Sequence, residues 1–329
     1  MPVDAVFFAT ADPQTLLFTG AVAEEPLAAA TTLFMANEFG GQDGNKFSTL
    51  ATSTAHVATL DSATRSERAT SLRSRDIMTP LGLGDELRAA LVTDGQCWGY
   101  LCLHRADSPL GFTGAEVATI DRLGPHIASG LRHAQLLHQR AADQRAAGPG
   151  VVLFAKDLTV VAVSAEAEAL LSLIDDQHSR TLPLPFAVYT VAAALNAIHA
   201  EAGAPSPPST RVHALTGDWI GLHASRLRSA AGEEQIAVVV ELIDAHATVP
   251  LMLSAYRLSP REAQVAQLVL RGASTRVIVD TLHTSPHTVQ DHLKTVFAKT
   301  GVNSRRDLVA HLIAQPVAQP AEQHARGRR

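Results

Sequence analysis

The sequence is poor in cysteine, lacks long apolar runs and carries none of the compact signatures of catalysis. Two cysteines in 329 residues, Cys97 and Cys102, exclude a disulfide scaffold. Both lie in one strand-like run, CWGYLCLHR. At a spacing of five they point to opposite faces, so reduced, mostly buried thiols are expected. No apolar stretch approaches the ~20 residues of a membrane-spanning helix. The opening MPVDAVFFATADP has neither the basic start nor the long apolar core of a secretory signal, so a cytoplasmic protein is expected. There is no G-x-x-x-x-G-K-S/T phosphate loop, no H-E-x-x-H and no G-x-S-x-G elbow. Gly82 and Gly84 read as a turn before a strand. No enzyme is expected and no catalytic residue is assigned. No metal site is expected either: His126, His133 and His138 lie close in sequence, but His133 and His138 do not share a helix face. No flavin cysteine or haem-ligand motif stands out, so the cofactor and its residues stay unknown.

What the chain does have is a charge asymmetry. Overall it carries 27 basic and 32 acidic residues, a net charge of −5. From Ala255 to the end the balance is about +6, and over the rest about −11. A basic end on an acidic body fits nucleic-acid affinity confined to that end. The length suits two or three domains.

The basic end, Leu258 to Leu312, reads as four short helices with marked stops. Ser259-Pro260-Arg261-Glu262 is a capping box with proline at the first helical position. Gly272 ends that helix. Ser274 opens the second, whose inward side is Ile278 and Leu282. Ser285-Pro286 opens the third, which runs to Thr300 and stops at Gly301. Ser304 and Asp307 cap the fourth. On the third helix Val289, Leu293, Val296 and Phe297 form an apolar stripe. The opposite face is His287, Gln290, Asp291, Lys294 and Ala298. Such a face suits a major groove, where Gln reads adenine, Asp accepts from a cytosine amine, and Lys meets guanine or phosphate.

This stretch resembles the LuxR-type (GerE and FixJ) helix-turn-helix. The match includes Leu258, Ser259, Arg261 and Glu262, then Gly272 with Ser274, then Ser285, Thr288, Val289 and His292. It closes with Lys299, Gly301, Val302, Ser304 and Arg305. The resemblance implies that the third helix enters the major groove and the fourth helps dimerisation. It implies base contacts from Gln290 and Asp291, phosphate or base contact from Lys294 and backbone contact from Thr288 and His292; His287 and Arg305 are counted with them as expected DNA contacts. Val277 departs from the family, which usually has glutamate there; a packing or surface change is expected.

The body holds two further patterns. The hairpin GLGDELRAALVTDGQCWGYLCLHR, a helix start at PLGFTGAE with Thr113 as N-cap, and a closing helix resemble a GAF domain. This chain opens directly on a strand, over residues 3–9, where that domain normally has a helix. The segment 48–74, rich in Ser, Thr and Ala, could hold a short helix but reads as variable and partly mobile. Ile127, Leu131, Ala134, Leu137 and Ala141 suggest either the domain's last helix or a dimer-forming seam. Beyond Gly148-Pro149-Gly150, two strands, helices and three strands resemble a PAS domain. Trp219, His213 and His223 are its candidate pocket residues, with core or surface roles the commoner reading.

The expected protein is multidomain: an α+β GAF-like sensor over 1–147, an α+β PAS-like domain over 148–247, an all-α four-helix LuxR-type helix-turn-helix over 255–315 and a disordered tail over 316–329. Its expected function is that of a sequence-specific DNA-binding transcription regulator. The partners implied are double-stranded DNA, a second copy of the chain, RNA polymerase and a small-molecule effector, with no membrane. The competing reading is a signalling or scaffold protein whose end domain dimerises or binds protein without reading DNA.

Overall fold

The computed structural model describes residues 1–106, 111–137, 148–174, 182–198, 207–228, 234–243 and 245–312. They fall into two compact units. The first holds two β-sheets and ends at Ile243; the main part of the second begins at Asp244. No described helix is long and apolar enough to cross a membrane.

The first sheet uses β1 (Ala5–Ala11), β2 (Phe18–Ala23), β3 (Val57–Thr59), β4 (Leu83–Thr93) and β5 (Gln96–Ala106). Its helices are α1 (Thr31–Gly40), α2 (Phe47–Thr52), α3 (Leu60–Thr64) and α4 (Gly114–Leu137). The second sheet uses β6 (Gly150–Phe154), β7 (Val160–Val163), β8 (Ser209–His213), β9 (Trp219–Arg228) and β10 (Glu234–Leu242), with α5 (Ala165–Leu171) and α6 (Phe186–Ala197). Both sheets are antiparallel, ordered β2-β1-β5-β4-β3 and β7-β6-β10-β9-β8. Each therefore has the same order when counted from its own first strand, a repeat of topology that no repeat of residues announces.

Local chemistry accounts for the central hairpin. Asp94 and Gly95, at φ 52° and 74°, make the two-residue turn whose twist suits paired strands. Strands β4 and β5 are buried on both faces. Leu87, Ala89 and Leu103 pack with Phe112 and Ile120 at α4. Glu86, Arg88, Cys102 and His104 occupy the other face, because side chains alternate along a strand. The α4 start is reciprocal: Thr113 N–H donates to Glu116 Oε2 at 2.9 Å and Glu116 N–H to Thr113 Oγ1 at 3.3 Å. Gly99 lets this helix approach, since a Cβ there would lie 2.7 Å from both the Ala9 carbonyl oxygen and Leu131 Cδ1. Of the proposed seam, Leu131 thus faces the sheet while Ile127 is exposed. The side chain of Leu137, and Ala141 altogether, lie outside the described residues, as do His138 and the tail.

Helix α6 joins the two halves of this unit. It is apolar all round, buried from Phe186 to Leu195, as a helix covered on every side must be. Phe186 sits 6.0 Å from Phe7 and 5.8 Å from Phe18, ring centre to ring centre. Its neighbours run from the first sheet's residues to Val238 and Leu222 of the second, in one continuous core. Arg211 on β8 adds a fork onto buried Asp12, at 2.9 and 3.0 Å. Among the expected pocket residues, the His213 and Trp219 rings lie 4.1 Å apart, tilted at 53°, whereas His223 is exposed beside Glu241.

Two expectations are corrected. Cys97 and Cys102 do not face opposite ways, because a register shift in the β4–β5 pair between Leu91 and Val92 brings both into the same core cluster. The segment 48–74 is built structure: it supplies most of α2, edge strand β3, α3 and the buried Arg73. Its Ser and Thr content reflects caps, such as Thr59 accepting from the Ser62 N–H at 3.1 Å, rather than looseness.

The second unit consists of α7 (Ala245–Ala255), α8 (Pro260–Leu270), α9 (Thr275–Leu282), α10 (Pro286–Thr300) and α11 (Arg305–Leu312). The four expected helices occur with the expected stops, preceded by α7.

Candidate functional site

The helical unit is assembled from caps that bring one polar face forward. Ser259 accepts from the Glu262 N–H at 3.3 Å, while Glu262 Oε2 accepts from the Ser259 N–H at 2.8 Å. Glu262 also meets Lys299 Nζ at 2.6 Å, which locks the start of α8 to the end of α10. Burial favours the neutral acid, but the bonds from Lys299 and Ser259 win and hold Glu262 below the usual carboxylate range. Ser274 and Ser285 cap α9 and α10. Between them His283 adopts the left-handed conformation, φ 48°, and turns the chain. Gly301, at φ 72°, closes α10.

This frame orients α10. Val289, Leu293 and Val296 are buried; Phe297 is only partly so. His287, Thr288, Gln290, Asp291 and Lys294 are exposed, and His292 is half-buried at the edge of the stripe. Asp291 is bracketed along the helix, 3.5 Å from His287 Nε2 and 3.7 Å from Lys294 Nζ. Exposed pairs of this kind are worth about 0–1 kcal/mol, so exchanging them for an external partner costs little. The Thr288 hydroxyl is already bonded to Ser285 Oγ at 2.8 Å, and its N–H is capped by the same oxygen.

Arg305 stands apart from this face. Its guanidinium donates to the Ala273 carbonyl at 3.3 Å and to Thr275 Oγ1 at 2.9 Å, fastening the start of α11 to the start of α9. Arg271 and Arg276 are exposed basic groups that the sequence reading passed over. Arg271 is the C-cap of α8 and Arg276 lies in the first turn of α9. Val277 is exposed, so its departure from the usual glutamate is a surface change.

A second concentration of charge lies in the body, out of reach of solvent. Glu86, Arg88, Arg73, His104 and Cys102 are all fully buried on the inner face of the first sheet. Arg73 Nε donates to Glu86 Oε1 at 2.6 Å, with a second contact from its Nη2. Arg88 reaches Glu38 Oε2 at 2.7 Å and Glu86 Oε2 at 3.3 Å, and lies 4.4 Å over the Phe47 ring. Burial would raise the Glu86 pKa, but the two guanidiniums hold it far below the normal range. Burial pushes the His104 imidazole down to about 4 and the Cys102 thiol well up.

Helices α9 and α10, joined by a tight turn and braced by α8 and α11, form a helix-turn-helix. Residues 256–312 match the family described as bacterial regulatory proteins, luxR family. This part of the chain is therefore a LuxR-type helix-turn-helix domain, of the kind found in bacterial regulatory proteins. The whole chain is multidomain, with two antiparallel-sheet regions ahead of that domain. No curated protein matches it. Solved structures similar to it include the Vibrio cholerae VqmA dimer, described as a LuxR-type receptor in the absence of target DNA. That structure is 16% identical, over 55% of this chain and 86% of that one, with a TM-score of 0.23. A phage VqmA–DPO complex is 15% identical over 56% and 88%, TM-score 0.22. The Escherichia coli DhaR(N)–DhaL complex is 11% identical over 72% and 80%, TM-score 0.24.

Proposed function

We propose that the chain acts as a dimer on a two-fold symmetric DNA site, each copy laying α10 in the major groove of one half-site. The observation that carries this is the division of α10 into a buried Val289, Leu293 and Val296 side and an exposed His287, Gln290, Asp291 and Lys294 side. Gln290 and Asp291 read base edges, Lys294 meets guanine or phosphate, and Thr288 and His292 contact the backbone. Arg305 serves chiefly as a brace through its bonds to Ala273 and Thr275, with guanidinium N–H groups left for a phosphate. The body receives a small ligand or a protein partner through its GAF-like (1–147) and PAS-like (148–247) regions and sets the spacing of the paired domains over 255–315.

The test is selection of genomic DNA fragments by the full chain and by residues 250–329 at two salt concentrations. Enrichment of one symmetric site by both supports the reading. Binding by the short piece alone means that the body inhibits. Absence of any binding, even at low salt, favours the protein-interaction alternative. On the selected site, Lys294→Ala is expected to weaken binding and to reduce the log-log salt slope by about 1. Gln290→Ala is expected to cost about 1–3 kcal/mol of discrimination at one base pair. Unchanged affinity and slope in Lys294→Ala would refute the groove assignment.

A further inference from the structure

We infer that Glu86, Cys102 and His104 form a binding site for a thiophilic transition-metal ion of the zinc kind inside the body. This departs from the expectation of no metal drawn from the sequence. That expectation weighed histidines close together in the chain, whereas this trio is assembled across a hairpin. Glu86 on β4 lies directly opposite His104 on β5, and Cys102 is two residues back, on the same face of its strand.

The geometry is close to that of a coordination shell. One ligand atom from each of the three lies within 4.8 Å of the others. Cys102 Sγ is 3.1 Å from His104 Nε2 and 3.5 Å from Glu86 Oε2. A tetrahedral zinc ion, with bonds of about 2.0 Å to N or O and 2.3 Å to S, sets its ligands roughly 3.3–3.5 Å apart. The Cys102–His104 and Cys102–Glu86 separations lie within a few tenths of an ångström of that range. Thiolate, imidazole and carboxylate together are a donor set for zinc rather than for magnesium or calcium. Glu86 Oε2 is the freer of its two oxygens, since Oε1 takes both contacts from Arg73.

A second observation lies on the far side of the same ring. His104 is 1% exposed, and its Nδ1 has no hydrogen-bond partner. The ring borders a small cavity of about 20 Å³ lined by Phe7, Leu27, Phe34, Ile77 and Phe186. That volume holds about one water molecule. A metal-bound imidazole commonly donates its other N–H to such a partner, which fixes the ring.

The charges around the trio cancel before the ion enters. Glu38, Asp43 and Glu86 face Arg73, Arg88 and Lys46 around the trio. Binding replaces the Cys102 S–H bond by a sulfur–metal bond and releases one proton to water, so a dication adds a single net positive charge. Affinity accordingly rises with pH.

The test uses the full chain, stripped of metal and kept reduced. Titration with Zn²⁺ against a chromogenic chelator should give one tight equivalent. Co²⁺ should give a thiolate-to-cobalt charge-transfer band. Both signals should vanish in Cys102→Ala and His104→Phe and persist in Cys97→Ser, whose sulfur bonds instead to the Gly99 carbonyl at 3.3 Å. Should those variants misfold, the cobalt band in the wild-type chain decides alone. Absence of that band, or equal zinc binding by wild type and folded Cys102→Ala, would overturn the site.

Discussion

The two units handle charge in opposite ways. On α10 of the helical unit, Asp291 is held loosely by His287 and Lys294 at 3.5 and 3.7 Å, all three in solvent. In the body, Arg73 and Arg88 close on Glu86 and Glu38 with contacts as short as 2.6 and 2.7 Å, out of solvent. Water screens the first set, so those groups can be redirected to a phosphate or a base for well under the energy such contacts return. The second set is held by mutual need, because each charge would be costly to bury alone. The comparison teaches that an exposed charge marks a surface for partners, and a buried network marks a frame that must stay intact.

Removing one member of the buried network should produce the largest effect. Arg88→Ala leaves Glu38 and Glu86 short of a cation and is expected to cost about 3–5 kcal/mol in denaturant unfolding of the body. A loss below about 1 kcal/mol would mean that the network contributes little to the frame.

The helical unit should respond on a smaller scale to the loss of its first cap. Ser259→Ala removes the oxygen that holds the Glu262 N–H and is expected to cost about 1 kcal/mol, read as a shift in thermal unfolding.

The smallest effect concerns the body's own capping box. Hydrogen bonds from the Thr113 backbone and then from Arg105 lower the Glu116 pKa to about 2. A carboxylate depressed in the folded state stabilises it above the unfolded pKa, and that contribution fades as the pH falls from about 4.5 towards 2. Acid titration of Glu116→Gln beside wild type should therefore show a stability gap at neutral pH that narrows across that window. A gap independent of pH would assign the effect to packing.

Much of the helical unit was legible in the residues because its signals are local. A cap oxygen, a proline at the first helical position and a glycine at the stop act within three or four residues. Ser259 with Glu262, Ser285 with Pro286, and Gly301 behave as read. The hairpin turn at Asp94-Gly95 and the Thr113–Glu116 cap were legible for the same reason. The segment 48–74 was misread because Ser and Thr serve loops and caps alike, and only packing separates the two. The place of α6 was hidden as well, since an apolar run says that a helix is buried but not between what.

By itself, then, the sequence determined where the four helices of the basic end and the central hairpin begin and end, the apolar stripe and polar face of α10, and the concentration of basic charge at one end. These follow from interactions between near neighbours and from composition. Only the tertiary structure decided that two sheets of equal topology share one core through α6, and that Arg305 bonds across to Ala273 and Thr275. It also decided that Glu86, Cys102 and His104 stand within reach of one ion. Each of these depends on strand register or on helix packing between residues distant in the chain, and contacts of that kind leave no periodic trace in the order of residues.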